Sequence, residues 1–331
     1  MPRQSRLDAP GTLHHVIGRG IEKIKIFKSD DDRNDFINRL RGLVREESII
    51  VYAWALMSNH YHLLVRTGKQ PLSNSMRRLL TGYVVNFNRR YNRCGHLFQN
   101  RYKSIICEDD PYLLELTRYI HLNPLRAGIV KSLSELKRYR WSGHGVITGN
   151  TENNWQNVDT VLLYFGKRKK EAIRSYVDFV KDGIDQGQRP ELTGGGLLRS
   201  AGGWSQVVSL RKKGAQIAGD ERILGSSDFV EKLLAEADEK TRQSMRLRKE
   251  VPGLDKAASR IAEMQVIEKA ELISGSRKKE VVKGRKLFCQ VMVKKFGYSG
   301  AEVARYLGIT TSAVNRLASA YEFPEEGSII S

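Results

Sequence analysis

No stretch of the chain approaches the roughly 20 consecutive apolar residues needed to cross a bilayer. The first ten residues, MPRQSRLDAP, carry no apolar signal core, so a cytoplasmic location is expected. Only three cysteines are present, Cys94, Cys107 and Cys289, and their scatter excludes a disulfide framework or a paired-cysteine zinc site. Glycines cluster at 194–196 and 202–203, but no Walker spacing follows them, so they read as a linker and not as a phosphate loop. The most informative scarcity is of acid: from Val51 to Cys107 there is no Asp or Glu, against nine basic residues.

The charge that is present has one sign. The 331 residues hold 56 Lys and Arg against 37 Asp and Glu, a net +19. Residues 1–150 have 25 basic against 13 acidic positions, and the remainder 31 against 24. Such an excess implies a polyanionic partner. The acid-free stretch reads as a phosphate-backbone track, with Arg66, Arg77, Arg78, Arg89, Arg90, Arg101 and Lys103 as expected DNA contacts whose binding weakens with salt.

Within that stretch lies LMSNHYHLLV, Leu56–Val65. Side chains at i and i+2 of a strand leave the same face, so His60 and His62 point one way and can reach one metal ion, while Tyr61 faces the opposite side. The flanking apolar runs predict a well-packed sheet around them. His14 and His15, being adjacent, face opposite sides, and one is expected in the core and the other exposed. A second stretch, TRYIHLNPLRAGIV from Thr117 to Val130, places Tyr119 and Asn123 on one helix face. A tyrosine hydroxyl and a carboxamide opposite two imidazoles supply a nucleophile and a possible third ligand. The Asn123–Pro124 step predicts an end or kink in that helix, with Gly128 at its exit.

Taken in order, strand 12–18, a capped helix opening at Ser29, strands 49–57 and 60–67, the helix PLSNSMRRLLTGYVVNFNRRYN, a strand near 103–107 and the tyrosine helix predict an α+β chain. The expected architecture is a ferredoxin-like antiparallel sheet with helices on one face and the histidine strand central, followed by a mainly α-helical C-terminal region. Expected domains are 1–148, a helical extension and glycine-rich linker at 149–225, and a helical DNA-binding domain at 226–331. Near its end, residues 281–318 show helix-turn-helix spacing, with Gly308 at the turn and Thr310, Thr311, Ser312, Asn315 and Arg316 set to face DNA.

NHYHLLV followed by RYIHLNPLRAG resembles the His-hydrophobic-His single-strand endonucleases, most closely the REP-associated tyrosine transposases, relatives of the smallest insertion-sequence transposases. GTLHHVIGRGIEKIKIF and GHLFQNRYKS extend that resemblance over about residues 10–145. The segment 278–318 is similar to the DNA-binding end of the bacterial replication initiator DnaA. The resemblance implies metal-dependent cleavage and rejoining of single-stranded DNA hairpins through a 5′-phosphotyrosine on Tyr119, with Mg²⁺ or Mn²⁺ held by His60, His62 and, where insertion-sequence relatives carry glutamine, Asn123. It implies a monomer or homodimer, with duplex DNA as a possible further partner of the C-terminal domain. Two other readings remain: a non-catalytic hairpin-binding regulator, and a metal phosphoesterase that uses water.

Overall fold

The computed structural model describes Leu7, residues 10–187, 189, 192–193, 220, 222–249, 253–296 and 298–319. It divides into two compact units, Met1–Leu234 and Ala235–Ser331. Most of the glycine-dense segment expected as a linker, from position 194 through 203, lies outside the described residues.

The first unit is built on a five-stranded sheet in the order β2-β3-β1-β4-β5, with β1 Leu13–Arg19, β2 Ile49–Leu56, β3 His60–Thr67, β4 Lys103–Cys107 and β5 Ile223–Leu224. The first four strands pair antiparallel in the ferredoxin-like order; β5 joins β4 in parallel. Two residues are too few for any periodicity, which is why the ILGSS segment gave no strand signal. The histidine strand β3 is internal, flanked by β2 and β1, and the middle position belongs to β1.

Helix α1 (Asp30–Arg45) starts at a capping box in which Ser29 accepts from the Asp32 amide and Asp32 accepts from the Ser29 amide. It buries Phe36, Leu40 and Leu43. Helix α2 (Leu72–Arg90) buries Met76, Leu79, Tyr83 and Phe87, and both helices cover the sheet face of Val16, Tyr61, Leu63 and Val65. This is the expected single layer of helices. The structure adds a second: α3 (Asp109–Arg126) packs Leu113, Leu116 and Ile120 on the opposite face, against Leu13, Ala53, Ala55, Leu64 and Ile105.

Helix α3 runs through Pro124 and ends two residues later, not at the Asn123–Pro124 step. The proline removes only the bond to the Ile120 carbonyl. Termination comes at Gly128, whose φ of +68° suits a residue without Cβ, and Ile129 then donates to the Pro124 carbonyl at 2.9 Å. Short helices α4 (Leu133–Arg138), α5 (His144–Ile147) and α6 (Val158–Leu163) lead to α7 (Lys169–Asp182), whose Ala172, Tyr176 and Val180 share the α3 core. Helix α8 (Ser227–Lys249) begins in this unit.

The second unit is helical. Helices α9 (Leu254–Met264), α10 (Lys269–Ile273), α11 (Lys279–Gln290, continuing as a π segment to Lys295), α12 (Gly300–Leu307) and α13 (Thr311–Ser319) bury Ile261, Phe288, Val303, Leu307 and Val314 together. Arg285 donates to the carbonyls of Leu272, Ser276 and Glu271 at 2.7, 2.6 and 3.0 Å, and to that of Ser274, closing the end of α10. Helix α12 is capped by Ser299 with Glu302 and exits through Gly308 at φ +66°.

Candidate active site

Alternation along paired strands sorts the histidines. In the β1–β3 ladder Ile17 faces His62, His15 faces Leu64 and Arg19 faces His60, so His15, Arg19, His60 and His62 all leave the sheet on the α3 side. Tyr119 reaches them from α3: its ring lies 5.9 Å from both the His15 and His62 rings, edge-on to each. Asn123 and Arg126 follow one and two helical turns on. A cavity of about 390 Å³ is lined by Ile17, Arg19, His60, His62, Tyr119 and Asn123, with Arg126, Ala127, Arg189 and Thr193 completing it. The four residues expected to form a site, His60, His62, Tyr119 and Asn123, therefore converge.

The imidazoles are oriented by their neighbours. The Asn59 carboxamide donates to the Lys23 carbonyl at 3.4 Å and turns its oxygen to His60 Nδ1 at 2.6 Å. His62 Nδ1 lies 2.9 Å from His15 Nε2. Burial pushes the His60 pKa down to about 4, helped by the positive charge of Arg19. Burial also holds His62 well below its ordinary range, with His15, His60 and Arg19 adding to the effect. Both rings are thus neutral at pH 7, the form that ligates metal.

The donor set, two imidazoles and a carboxamide, fits a divalent cation. Each histidine keeps one ring nitrogen beyond the bonds just named, and the Asn123 carboxamide, which ligates through its oxygen, lines the same cavity. Among the described residues no group of three or more His, Cys, Asp and Glu could hold a metal ion, and the cavity sets the Asn123 carboxamide beside the two histidines.

Two site residues were missed in the sequence. His15 is fully buried, as is His14, so the expectation that one of the pair would be exposed is incorrect. The reason is that β1 is covered on both faces: His14 bonds Thr12 and Ser104 at 2.8 and 2.9 Å on one side, while His15 meets His62 on the other. Arg126 is the second. Its guanidinium sits 5.3 Å from the Tyr119 ring centre and donates to the Gly183 carbonyl at 3.1 Å, yet its Nε and Nη1 are buried without a partner. Its position, three residues after Asn123 and seven after Tyr119, is the helical repeat that places it on their face.

The expected phosphate track divides. Arg66 is held by Asp109 at 2.8 Å and by the Tyr52 hydroxyl at 3.0 Å, Arg78 by Glu46 and Arg90 by Asp32. These carboxylates lie outside the acid-free stretch. Arg77, Arg89 and Arg101 are exposed and form no ion pair among the described residues. Lys103 pairs in register with Ile17, on the site face, and its charge is one cause of the lowered His15 pKa. In the second unit Thr310, Thr311, Ser312, Asn315 and Arg316 are all exposed at the start of α13 and along it.

Residues 11–123 match the family model of the IS200-like transposases. That segment runs from the turn before β1 through the sheet to Asn123 and contains both histidines and Tyr119. A search of curated proteins finds no match. Among solved structures, the chain is similar to a REP-associated tyrosine transposase bound to a REP hairpin, at 14% identity and a TM-score of 0.38, over 51% of this chain and 98% of that one. No helix among the described residues is long and apolar enough to cross a membrane.

Proposed function

We propose that the chain is a tyrosine transposase that cleaves and rejoins single-stranded DNA at hairpin sites. One observation carries the reading: a tyrosine, two neutral imidazoles of a His-x-His strand and a carboxamide, all within an IS200-like segment, line one cavity with a partly unpartnered arginine that follows it on the same helix.

In this reading His60, His62 and Asn123 hold Mg²⁺ or Mn²⁺. The bound ion supplies Lewis-acid polarisation of a phosphoryl oxygen. The remaining chemistry belongs to the chain. The Tyr119 oxygen attacks the scissile phosphorus, the phosphodiester bond to the 3′ oxygen breaks, and a 5′-phosphotyrosine forms with a free 3′-hydroxyl on the other fragment. Attack by a 3′-hydroxyl reverses the step and reseals a strand, so no energy source is consumed. Arg126, with two unpartnered N–H-bearing nitrogens beside the phenol ring, faces the negative charge that builds on tyrosine and phosphate. Arg77, Arg89 and Arg101 carry the flanking DNA backbone, with Lys103 beside the cavity. The α12–α13 pair acts as a helix-turn-helix that presents Thr311, Ser312, Asn315 and Arg316 to duplex or hairpin stem.

The test is incubation with a pool of single-stranded hairpin oligonucleotides and Mn²⁺, followed by a denaturing gel. A covalent protein–DNA band is expected with the native chain and is lost in Tyr119→Phe. An adduct that survives this substitution removes Tyr119 as the nucleophile. Tight hairpin binding without adduct under any metal identifies a binding protein, and cleavage without adduct identifies a phosphoesterase.

A further inference from the structure

His15 lies behind the proposed ligands and is itself neither ligand nor nucleophile in that reading, yet its two ring nitrogens are both engaged. Nδ1 is 3.1 Å from the Leu192 carbonyl oxygen, and Nε2 is 2.9 Å from His62 Nδ1. The His15 and His62 rings lie within 27° of parallel, with centres 5.2 Å apart.

The donors and acceptors can be assigned in sequence. A backbone carbonyl only accepts, so His15 Nδ1 carries the hydrogen. His15 is fully buried and, among the described residues, its ring bonds only the Leu192 carbonyl and His62, an environment that opposes a cation. The neutral ring with its hydrogen on Nδ1 has a lone pair on Nε2, and His62 Nδ1 must then be the donor across the 2.9 Å contact. His62, neutral in turn, is left with its lone pair on Nε2. His60 reaches the same tautomer by another route, through Asn59 Oδ1.

We propose that His15 is a positioning residue: it relays the polarity of the Leu192 carbonyl to His62, fixing His62 as the Nδ1–H tautomer with Nε2 presented to the metal. The proposal rests on the reading of His62 as a metal ligand. Free imidazole side chains favour the hydrogen on Nε2, the tautomer whose lone pair would face away from the cavity. A hydrogen-bond partner behind a ligating histidine fixes its ring and raises its basicity, and removing such a partner typically weakens metal binding about 10- to 100-fold.

The measurement is a long-range ¹H–¹⁵N correlation spectrum of the histidine rings in the full chain without metal, the His62 signals being assigned by their loss in His62→Gln. The expected pattern is a single Nδ1–H form. In His15→Phe that pattern shifts toward Nε2–H, and Mn²⁺ affinity, read by electron paramagnetic resonance, falls 10- to 100-fold; His15→Gln, whose carboxamide oxygen can accept from His62, lies closer to the native protein. An Nε2–H or mixed His62 in the native chain overturns the proposal, and this reading does not depend on His15→Phe folding. So does a His15→Phe protein whose His62 tautomer and Mn²⁺ affinity are unchanged. If the native chain binds Mn²⁺ no better than His62→Gln, the metal reading itself fails and the role of His15 goes with it.

Discussion

The two faces of strand β3 are made by alternate residues of one short segment and could hardly differ more. Tyr61, Leu63 and Val65 enter a sealed aromatic layer in which Phe36 and Phe98 flank Tyr61 at ring distances of 4.9 and 6.1 Å, and Tyr83 packs on both of those rings at 5.4 and 6.4 Å. The packing is close enough that a Cβ on Gly18 would fall 2.4 Å from the Tyr61 ring. On the other face, His60 and His62 open onto a cavity with unpartnered nitrogen atoms on Asn123 and Arg126. The lesson is a division of labour at a spacing of one residue: the apolar face fixes the strand, and that rigidity lets the polar face hold unsatisfied groups in place.

Single substitutions one position apart should separate these roles. Tyr61→Ala empties a fully buried aromatic site and is expected to destabilise the first unit by about 3–5 kcal/mol in urea unfolding. His60→Ala, at a partly exposed position, should lower stability by less than half as much while reducing adduct formation roughly a thousandfold or more, since metal polarisation contributes several kcal/mol. Comparable stability losses for the two variants, or intact cleavage in His60→Ala, would collapse the distinction between the faces.

The α3 side of the sheet carries a second buried polar group, and it makes that side sensitive to acid. The Tyr176 hydroxyl bridges His121 Nδ1 and His144 Nδ1 at 2.7 and 2.9 Å. Burial lowers the His144 pKa to about 4, helped by Lys137, and holds His121 well below its ordinary range, helped by His144. The sign follows from linkage. In the unfolded chain these rings take up a proton near pH 6.5; in the folded one His144 does so only near pH 4 and His121 is held down in the same direction, so stability is full above about 6.5 and falls as the pH drops toward 4. His144 alone should account for about 2 kcal/mol between pH 7 and pH 5. Urea midpoints at the two pH values, compared with those of His144→Gln, measure it; an equal pH dependence in the variant would show that His144 is not the source.

Much of this was legible in residue spacing, because period-2 and period-3.6 patterns are local. The His60/His62 face, the Tyr119–Asn123 face and the Ser29 cap each depend on neighbours within four residues. His15 was not legible: adjacent histidines must diverge, but only the pairing of Ile17 with His62 reveals which one meets the site. The ion pairs were equally hidden, since Arg66 finds Asp109 43 residues away and Arg90 finds Asp32 58 residues away. A charge run read along the chain cannot tell arginines already neutralised in the fold from those left for a partner.

That distinction yields the smallest of the expected effects, and it concerns the outer surface rather than either sheet face. If Arg77, Arg89 and Arg101 contact phosphates, replacing each with Ala should reduce the slope of log affinity against log salt by about 0.7–0.9, the counterion release of one contact, for a hairpin oligonucleotide. Arg66 offers the contrast. Its guanidinium already bonds Asp109, Tyr52 and the Gly11 carbonyl, so Arg66→Ala should leave the slope nearly unchanged and register in stability instead. Fluorescence anisotropy across a salt series decides it. Equal slopes for Arg66→Ala and Arg77→Ala would mean that the paired arginines leave their carboxylates on binding, and that the ion pairs of the free protein are a poor guide to its DNA surface.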